Sequence, residues 1–222
     1  MKPITISFVT VIKNRTNIHI MHNNTTLNLK LFENNIKSLI NLILPGDEWE
    51  FVIVDFNSTD VNMHEFIESL PKKDNLSFNI IKVDDEKFNK GKGLNIGLAA
   101  SKYNITFCLD ADMMVLTRNL FDDIDKYVIN DNKILFPICW SYSNPLHTSG
   151  WKRDTGKGNV IQQKNTIIPY INNVKWGRED DHNFDYYNRN KLAVRTYYEK
   201  DFVHQWHPEY IKHMYYGEQK SA

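Results

Sequence analysis

The sequence has little cysteine, no net charge and no long apolar run, and each shortage removes a class of protein. Its two cysteines, Cys108 and Cys139, both sit in apolar strand-like runs, so they read as buried thiols and not as a disulfide framework. Positive and negative side chains balance, 27 against 27, which leaves no basic field for bulk binding of nucleic acid. No apolar stretch is long enough to span a membrane, and Met1-Lys2-Pro3 leads directly into a strand without a signal peptide. The expectation is a soluble, cytoplasmic protein, free or membrane-peripheral, whose 222 residues form a single domain. Aromatics, by contrast, are plentiful. Most will be core, while Tyr and Trp near a cleft suit sugar stacking.

Hydropathy patterning alternates strands and helices. Ile4 to Ile12 is β-branched and apolar, a buried first strand that runs into the polar turn Lys13-Asn14-Arg15. Apolar residues from Leu27 to Leu44 recur at helical spacing, and Pro45-Gly46 stops them. Strands follow at Phe51 to Val54, Phe78 to Val83 and Ile105 to Leu109, with helices at His64 to Leu70 and Gly91 to Ser101. Such β-α-β-α-β alternation predicts an α/β fold, a mostly parallel central sheet flanked by helices. The second half predicts a helix over Asn119 to Asn130, a strand over Lys133 to Trp140, and a β-like segment from Asn159 to Tyr170. It also predicts a helix over Asn183 to Asn190 and a last strand over Leu192 to Tyr198. Ser141 to Gly158 lacks periodicity and reads as a long surface loop, a candidate lid with Trp151 as a contact.

Ligands bind beyond the carboxyl ends of strands in such sheets. Lys13, Arg15, Asp55 and the Asp110/Asp112 pair all fall there. In an extended segment Asp110 and Asp112 would point the same way, and two like charges at the mouth of a buried strand call for a hard divalent cation. An ordinary turn explains Asp-x-Asp equally well when it stands alone. Glu179-Asp180-Asp181 follows Trp176-Gly177. Helix capping accounts for one such acid but not three, and carboxylates beside a Trp make a sugar platform with a candidate general base. His204-x-x-His207 is a candidate metal pair, better suited with a carboxylate to Mn²⁺ than to structural zinc.

These stretches carry a family resemblance. Val54-Asp55-Phe56-Asn57-Ser58-Thr59-Asp60 resembles the nucleotide-binding turn Val-Asp-Asp-Gly-Ser-Thr-Asp of family 2 glycosyltransferases. Phe88-Asn89-Lys90-Gly91-Lys92-Gly93-Leu94-Asn95-Ile96-Gly97 is similar to the Phe-Asn-Arg-Ala-Lys-Leu-Leu-Asn-Val-Gly stretch of β-1,4-galactosyltransferases. Ile12-Lys13-Asn14-Arg15, Asp110-Ala111-Asp112 and Trp176-Gly177-Arg178-Glu179-Asp180-Asp181 resemble their Phe-Arg-Asn-Arg, Asp-Val-Asp and Trp-Gly-Gly-Glu-Asp-Asp. His204-Gln205-Trp206-His207 looks like the His-x-x-His of chondroitin-polymerase-type enzymes. The set runs in family order from Ile12 to Pro208. Phe56 in place of an Asp, and Arg178 in place of a Gly, depart from it.

The resemblance implies a GT-A (Rossmann-like) fold and a metal-dependent, inverting transfer. The donor would be a UDP-sugar carrying a hexose or N-acetylhexosamine, galactose-type favoured, and the acceptor a saccharide or glycoconjugate in glycan synthesis. Residues 1–115 would form the nucleotide-binding half and 116–222 the acceptor-binding half. Asp55 would bind uracil, with Val11, Lys13, Arg15, Lys92 and Asp110 along the nucleotide. Asp112, His207 and His204 would ligate Mn²⁺ or Mg²⁺. Asp180 would be the base, with Trp176, Gly177, Glu179 and Asp181 on the sugars. Two other readings remain. A sugar-nucleotide nucleotidyltransferase would want a Gly-rich phosphate loop, which Lys13-Asn14-Arg15 does not supply. A non-catalytic sugar- or nucleotide-binding domain would be expected to have lost the base.

Overall fold

The computed structural model describes residues 2–85, 87–172 and 177–209. A seven-stranded sheet runs through it. In chain order its strands are β1 (Thr5–Ile12), β4 (Glu48–Asp55), β5 (Leu76–Lys82), β6 (Ile105–Cys108), β8 (Ile134–Leu135), β11 (Val160–Gln163) and β12 (Ala193–Val194). Their spatial order is β12-β8-β11-β6-β1-β4-β5. The β6-β1-β4-β5 block is parallel, and β11 alone runs antiparallel to its neighbours β6 and β8. A second sheet of four strands, in the order β10-β9-β13-β7, is built from β7 (Met113–Val115), β9 (Cys139–Tyr142), β10 (Gly150–Arg153) and β13 (Phe202–His204).

Successive residues of β1 are buried on opposite faces, so the sheet needs cover on both sides. Phe8, Phe51 and Phe107 face helices α1 (Leu31–Ile40), α2 (Met63–Glu68) and α4 (Asn119–Asp123) in the larger apolar cluster. Val9 and Val52 face α3 (Lys90–Ala100) and α5 (Arg178–Arg189) in a smaller one. The α3 helix lies very close to the sheet. A Cβ on Gly97 would meet Val9 Cγ1 at 2.4 Å, and one on Gly93 would meet Val11 Cγ1 at 2.4 Å. The expected α/β, mostly parallel architecture is therefore what forms. No helix among the described residues is long and apolar enough to cross a membrane.

Four expectations need correction. Leu27 is not helical. It belongs to β3 (Thr25–Leu29), which pairs antiparallel with β2 (Ile18–His22) through Asn23-Asn24, both at positive φ. Left-handed Asn pairs fit tight hairpin turns, and Leu27 and Leu29 pack against Ile18, Ile20 and Leu31 instead of continuing α1. The 119–130 helix divides into α4 and a π-helical segment, Ile124–Asn130. The 133–140 strand divides at Pro137 into β8 and β9, which serve different sheets. Within 141–158, β9 continues to Tyr142 and returns as β10, so the irregular loop shrinks to a hairpin tip and residues 154–158.

A buried ion pair ties the two ends of α1's neighbourhood together. Arg118 contacts both carboxylate oxygens of Asp47, at 2.6 and 3.2 Å, while the same oxygens accept the N–H groups of Ile4 and Leu44. Asp47→Ala would leave the guanidinium buried beside no carboxylate. Urea unfolding should show a loss of roughly 3–5 kcal/mol. A loss below about 1 kcal/mol would mean that water reaches the arginine.

Candidate active site

The paired aspartates do not share an extended strand. β6 ends at Cys108, and Asp110-Ala111-Asp112 forms a turn in which Met113 N–H donates to Asp110 O at 3.1 Å. Buried Asn35 on α1 donates to the carbonyls of Asp110 and Met113, Asn159 accepts from Asp110 N–H, and Gln205 N–H donates to Asp112 O. Clamped this way, the turn sends its two carboxylates to different partners.

Asp112 goes to the histidines. Its Oδ2 lies 3.1 Å from His207 Nε2 and 3.6 Å from His204 Nε2. The three ligand atoms lie within 4.8 Å of one another. Each ring is oriented by its other nitrogen, His207 Nδ1 at 3.2 Å from Pro208 O and His204 Nδ1 at 3.1 Å from Ser141 Oγ. A carbonyl can only accept, so in the tautomer that carries its proton on Nδ1 the His207 ring offers its Nε2 lone pair on the Asp112 side. Two acceptors facing across 3.1 Å suit a cation between them. Cis ligands around a divalent ion at its usual bond lengths lie about 3 Å apart, and one carboxylate with two imidazoles suits Mn²⁺. These residues fit a metal. Burial would raise the Asp112 pKa, but the two histidines override it and hold that carboxyl well below the usual range. Burial lowers the pKa of His204 against the pull of Asp112, and the charge of Arg153 lowers it further.

Asp110 goes to Lys90, at 2.7 Å, and Lys90 reaches Asp180 at 2.9 Å. Burial alone would lower the pKa of this ammonium, yet Asp110, Asp180 and Glu179 hold it well above its ordinary value. Asp180 is pushed up to about 7, first by burial and then by Asp110 and Glu179, with Lys90 opposing. From sequence, the helix start and Arg178 would favour the ionised form, while a nearby carboxylate and partial burial would oppose it. Arg178 is exposed, and burial among other acids prevails. Asp180 Oδ1 is buried and has no hydrogen-bond partner among the described residues. Gly177 caps α5 at φ 84°, a left-handed conformation open to glycine, and so sets the angle at which these acids enter.

One cavity contains both clusters. Val11, Lys13 and Arg15 line it together with Asp110, Asp112, Asp180, Asp181, Gly177, His204 and His207. Four other expected residues stand differently. Asp55 is buried and outside the lining, with Oδ1 accepting Ser58 N–H at 2.9 Å. Lys92 pairs with Asp85 at 2.7 Å, away from the cavity. Glu179 is buried behind Asp180, only 2% exposed. Trp176 lies outside the described residues. Sequence reasoning passed over Lys90, Arg153 and Gly158. Lys90 stands at the N-terminus of α3, where the dipole disfavours a cation, and that misplacement is the signal that could have found it.

The model of the family described as Glycosyl transferase family 2 matches residues 18–202. The chain belongs to that family. A human relative of this family member, chondroitin sulfate N-acetylgalactosaminyltransferase 2, is 25% identical across 77% of this chain. The match covers 40% of the relative, so the chain spans two fifths of its length. Among solved structures, Staphylococcus aureus TarS 1–349 in complex with UDP-GlcNAc superposes with a TM-score of 0.67 at 14% identity, over 92% of this chain and 59% of that one. The mannosyltransferase PcManGT of Pyrobaculum calidifontis, with GDP-Man and Mn²⁺, superposes with a TM-score of 0.61 at 14% identity, over 88% of this chain and 56% of that one. At these identities the structural likeness is one of fold, and the fold of the chain is GT-A.

Gly158 presses on the lysine bridge of the glycosyltransferase. A Cβ there would meet Asp110 Oδ2 at 2.7 Å, Lys90 Nζ at 2.8 Å and Asp180 Oδ2 at 3.0 Å. Gly158→Ala must displace charged groups that are already paired. Turnover should fall on the order of 10²-fold with a much smaller change in the urea midpoint. Turnover near that of the unaltered enzyme would show that the 154–158 loop yields and that the bridge geometry is not limiting.

Proposed function

We propose that the protein transfers a hexose or N-acetylhexosamine, galactose-type favoured, from a UDP-sugar to a saccharide acceptor with inversion at the anomeric carbon. One observation carries the reading. One carboxylate and two imidazoles placed so that they could hold a metal, and a buried carboxylate with one oxygen unpartnered among the described residues, open into the same cavity. Asp112, His204 and His207 would hold Mn²⁺ or Mg²⁺, which supplies charge neutralisation for a departing diphosphate. Lys13 and Arg15, at the end of β1, would hold nucleotide and phosphates, and Val11 would pack beside them. Asp55 would accept from the uracil ring with the oxygen that Ser58 leaves over. A TarS structure with UDP-GlcNAc supports uridine, while a neighbour with GDP-Man makes guanosine the competing base. On this reading residues 1–115 hold the nucleotide and 116–222 the acceptor, inside the cytoplasm.

Asp180 would act as general base. Its free Oδ1 is the atom to accept a hydrogen bond from the acceptor hydroxyl, and Lys90 fixes the other oxygen. Glu179 and Asp181 would steer sugar hydroxyls. A base used once on the face opposite the leaving group gives inversion. Membership of the family supports sugar transfer over sugar-nucleotide synthesis. A binding-only role is tested by UDP release across donors and acceptors.

Two measurements check this reading. Asp180→Asn keeps shape and removes the proton acceptor. It should lower turnover about 10²–10⁴-fold and leave calorimetric affinity for UDP with Mn²⁺ nearly unchanged. The pH dependence follows from the raised pKa. The carboxylate must be ionised to accept a proton, so activity should climb as pH rises through about 7 and level off above it. An activity profile flat from pH 5 to 8, or a product that retains the donor's configuration, would overturn the assignment.

A further inference from the structure

The β9–β10 hairpin carries two side chains for which the transfer chemistry has no use. Trp151 and Arg153 lie two residues apart on β10, an edge strand, so both leave it on one face. The register identifies that face. Arg153 pairs with Cys139, and Trp151 pairs with Ser141, the residue that holds His204. Residues directly opposite in a ladder share a side of the sheet. Cys139 and Arg153 both line the cavity, so Trp151 extends its wall outward. An indole left 52% exposed beside an active site offers a flat apolar surface.

Arg153 stands further in. Lys90 and Lys157 on this side of the cavity are each held by carboxylates, whereas Arg153 makes no ion pair among the described residues. The hairpin that presents both residues is braced. The Tyr142 and His147 rings stack at 4.3 Å and 2°, and Asn144 Oδ1 accepts the N–H groups of Leu146 and Thr148. Along an extended strand the two side chains are about 7 Å apart, the span of one sugar ring.

We propose that Trp151 and Arg153 form an outer acceptor subsite for the second sugar of an acidic oligosaccharide. The apolar face of that sugar stacks on the indole, and its anionic substituent, a carboxylate, sulfate or phosphate, pairs with the guanidinium. This rests on the transferase reading, with the acceptor hydroxyl at Asp180 and the rest of the glycan running out along β10. The acceptor is then an acidic glycan of at least two units and not a free monosaccharide.

Calorimetry on the full chain with saturating UDP and Mn²⁺ tests it. The probes are uronate-bearing disaccharides, the same disaccharides with the carboxyl reduced to an alcohol, phosphate-ester disaccharides and the component monosaccharides. The acidic disaccharides should bind about fivefold or more tighter than the monosaccharides, and Trp151→Ala should remove most of that gain. Arg153→Gln should make the acidic and reduced disaccharides bind alike, and Arg153→Lys should restore part of the preference. Trp151 is exposed on an edge strand, so Trp151→Ala should leave melting temperature and UDP affinity unchanged. The uronate and phosphate arms show which anion is taken. Equal binding of acidic and reduced disaccharides to the unaltered protein overturns the proposal, as does no disaccharide exceeding its monosaccharides. Loss of UDP affinity in Arg153→Gln also overturns it, and assigns Arg153 to the donor diphosphate. Failure to bind UDP with Mn²⁺ in the absence of any saccharide would instead strike the transferase reading beneath it.

Discussion

Lys90 holds two carboxylates that come from distant parts of the chain, Asp110 after β6 and Asp180 in the first turn of α5. Without a cation between them, the half-buried Asp110 and the more deeply buried Asp180 would repel each other. The ammonium can stand there because α3 carries glycine where it meets β1, which lets the helix settle onto the sheet and bring its first residue to the strand ends. Asn89 caps the same helix through Lys92 N–H, so the lysine enters from a fixed direction. The bridge thus joins nucleotide-side and acceptor-side segments, and the position of Asp180 depends on it.

Two carboxylates of the same type end up in opposite states a short distance apart. Asp112 faces two imidazoles and is held far down, ready to ligate at any ordinary pH. Asp180 is pushed up to about 7 by burial, helped by Asp110 and Glu179 and opposed by Lys90, close to the value that suits a proton acceptor in neutral solution. Neither group is special as a residue. Burial would raise both; the histidines reverse it at Asp112, whereas at Asp180 the pull of Lys90 does not, and Asp110 and Glu179 add to the rise. The Asn35 clamp on the intervening turn keeps the two environments distinct by sending the Asp110 and Asp112 side chains to different partners.

Much of the frame was legible because it rests on local chemistry. The apolar runs of β1, β4 and β6 are too continuous for anything but buried strands, and the polar groups at their ends could be placed by the parallel-sheet rule alone. The β2–β3 hairpin escaped because Leu27 falls in helical period with Leu31 as well as in a strand, and only Asn23-Asn24 marked the turn. The 141–158 segment escaped because its strands are short and its bracing comes from side chains, Asn144 above all. Lys90 and Lys92 are the same residue type with one Gly between them, and apart from the unfavourable place of Lys90 at the very start of the helix little in the motif says which one turns inward.

The sequence by itself determined the α/β class, the strand ends as the place for polar groups, and the acids and histidines that could act there, since hydropathy period and residue type are properties of the chain. Tertiary structure alone decided which of these groups meet. It paired Asp112 with His204 and His207, Asp110 and Asp180 with Lys90, and Lys92 with Asp85. It also raised the pKa of one aspartate and lowered that of another. Charge interactions in a buried site fall off over a few ångströms and depend on which neighbours are present. Those neighbours come from segments that only the packed fold brings together.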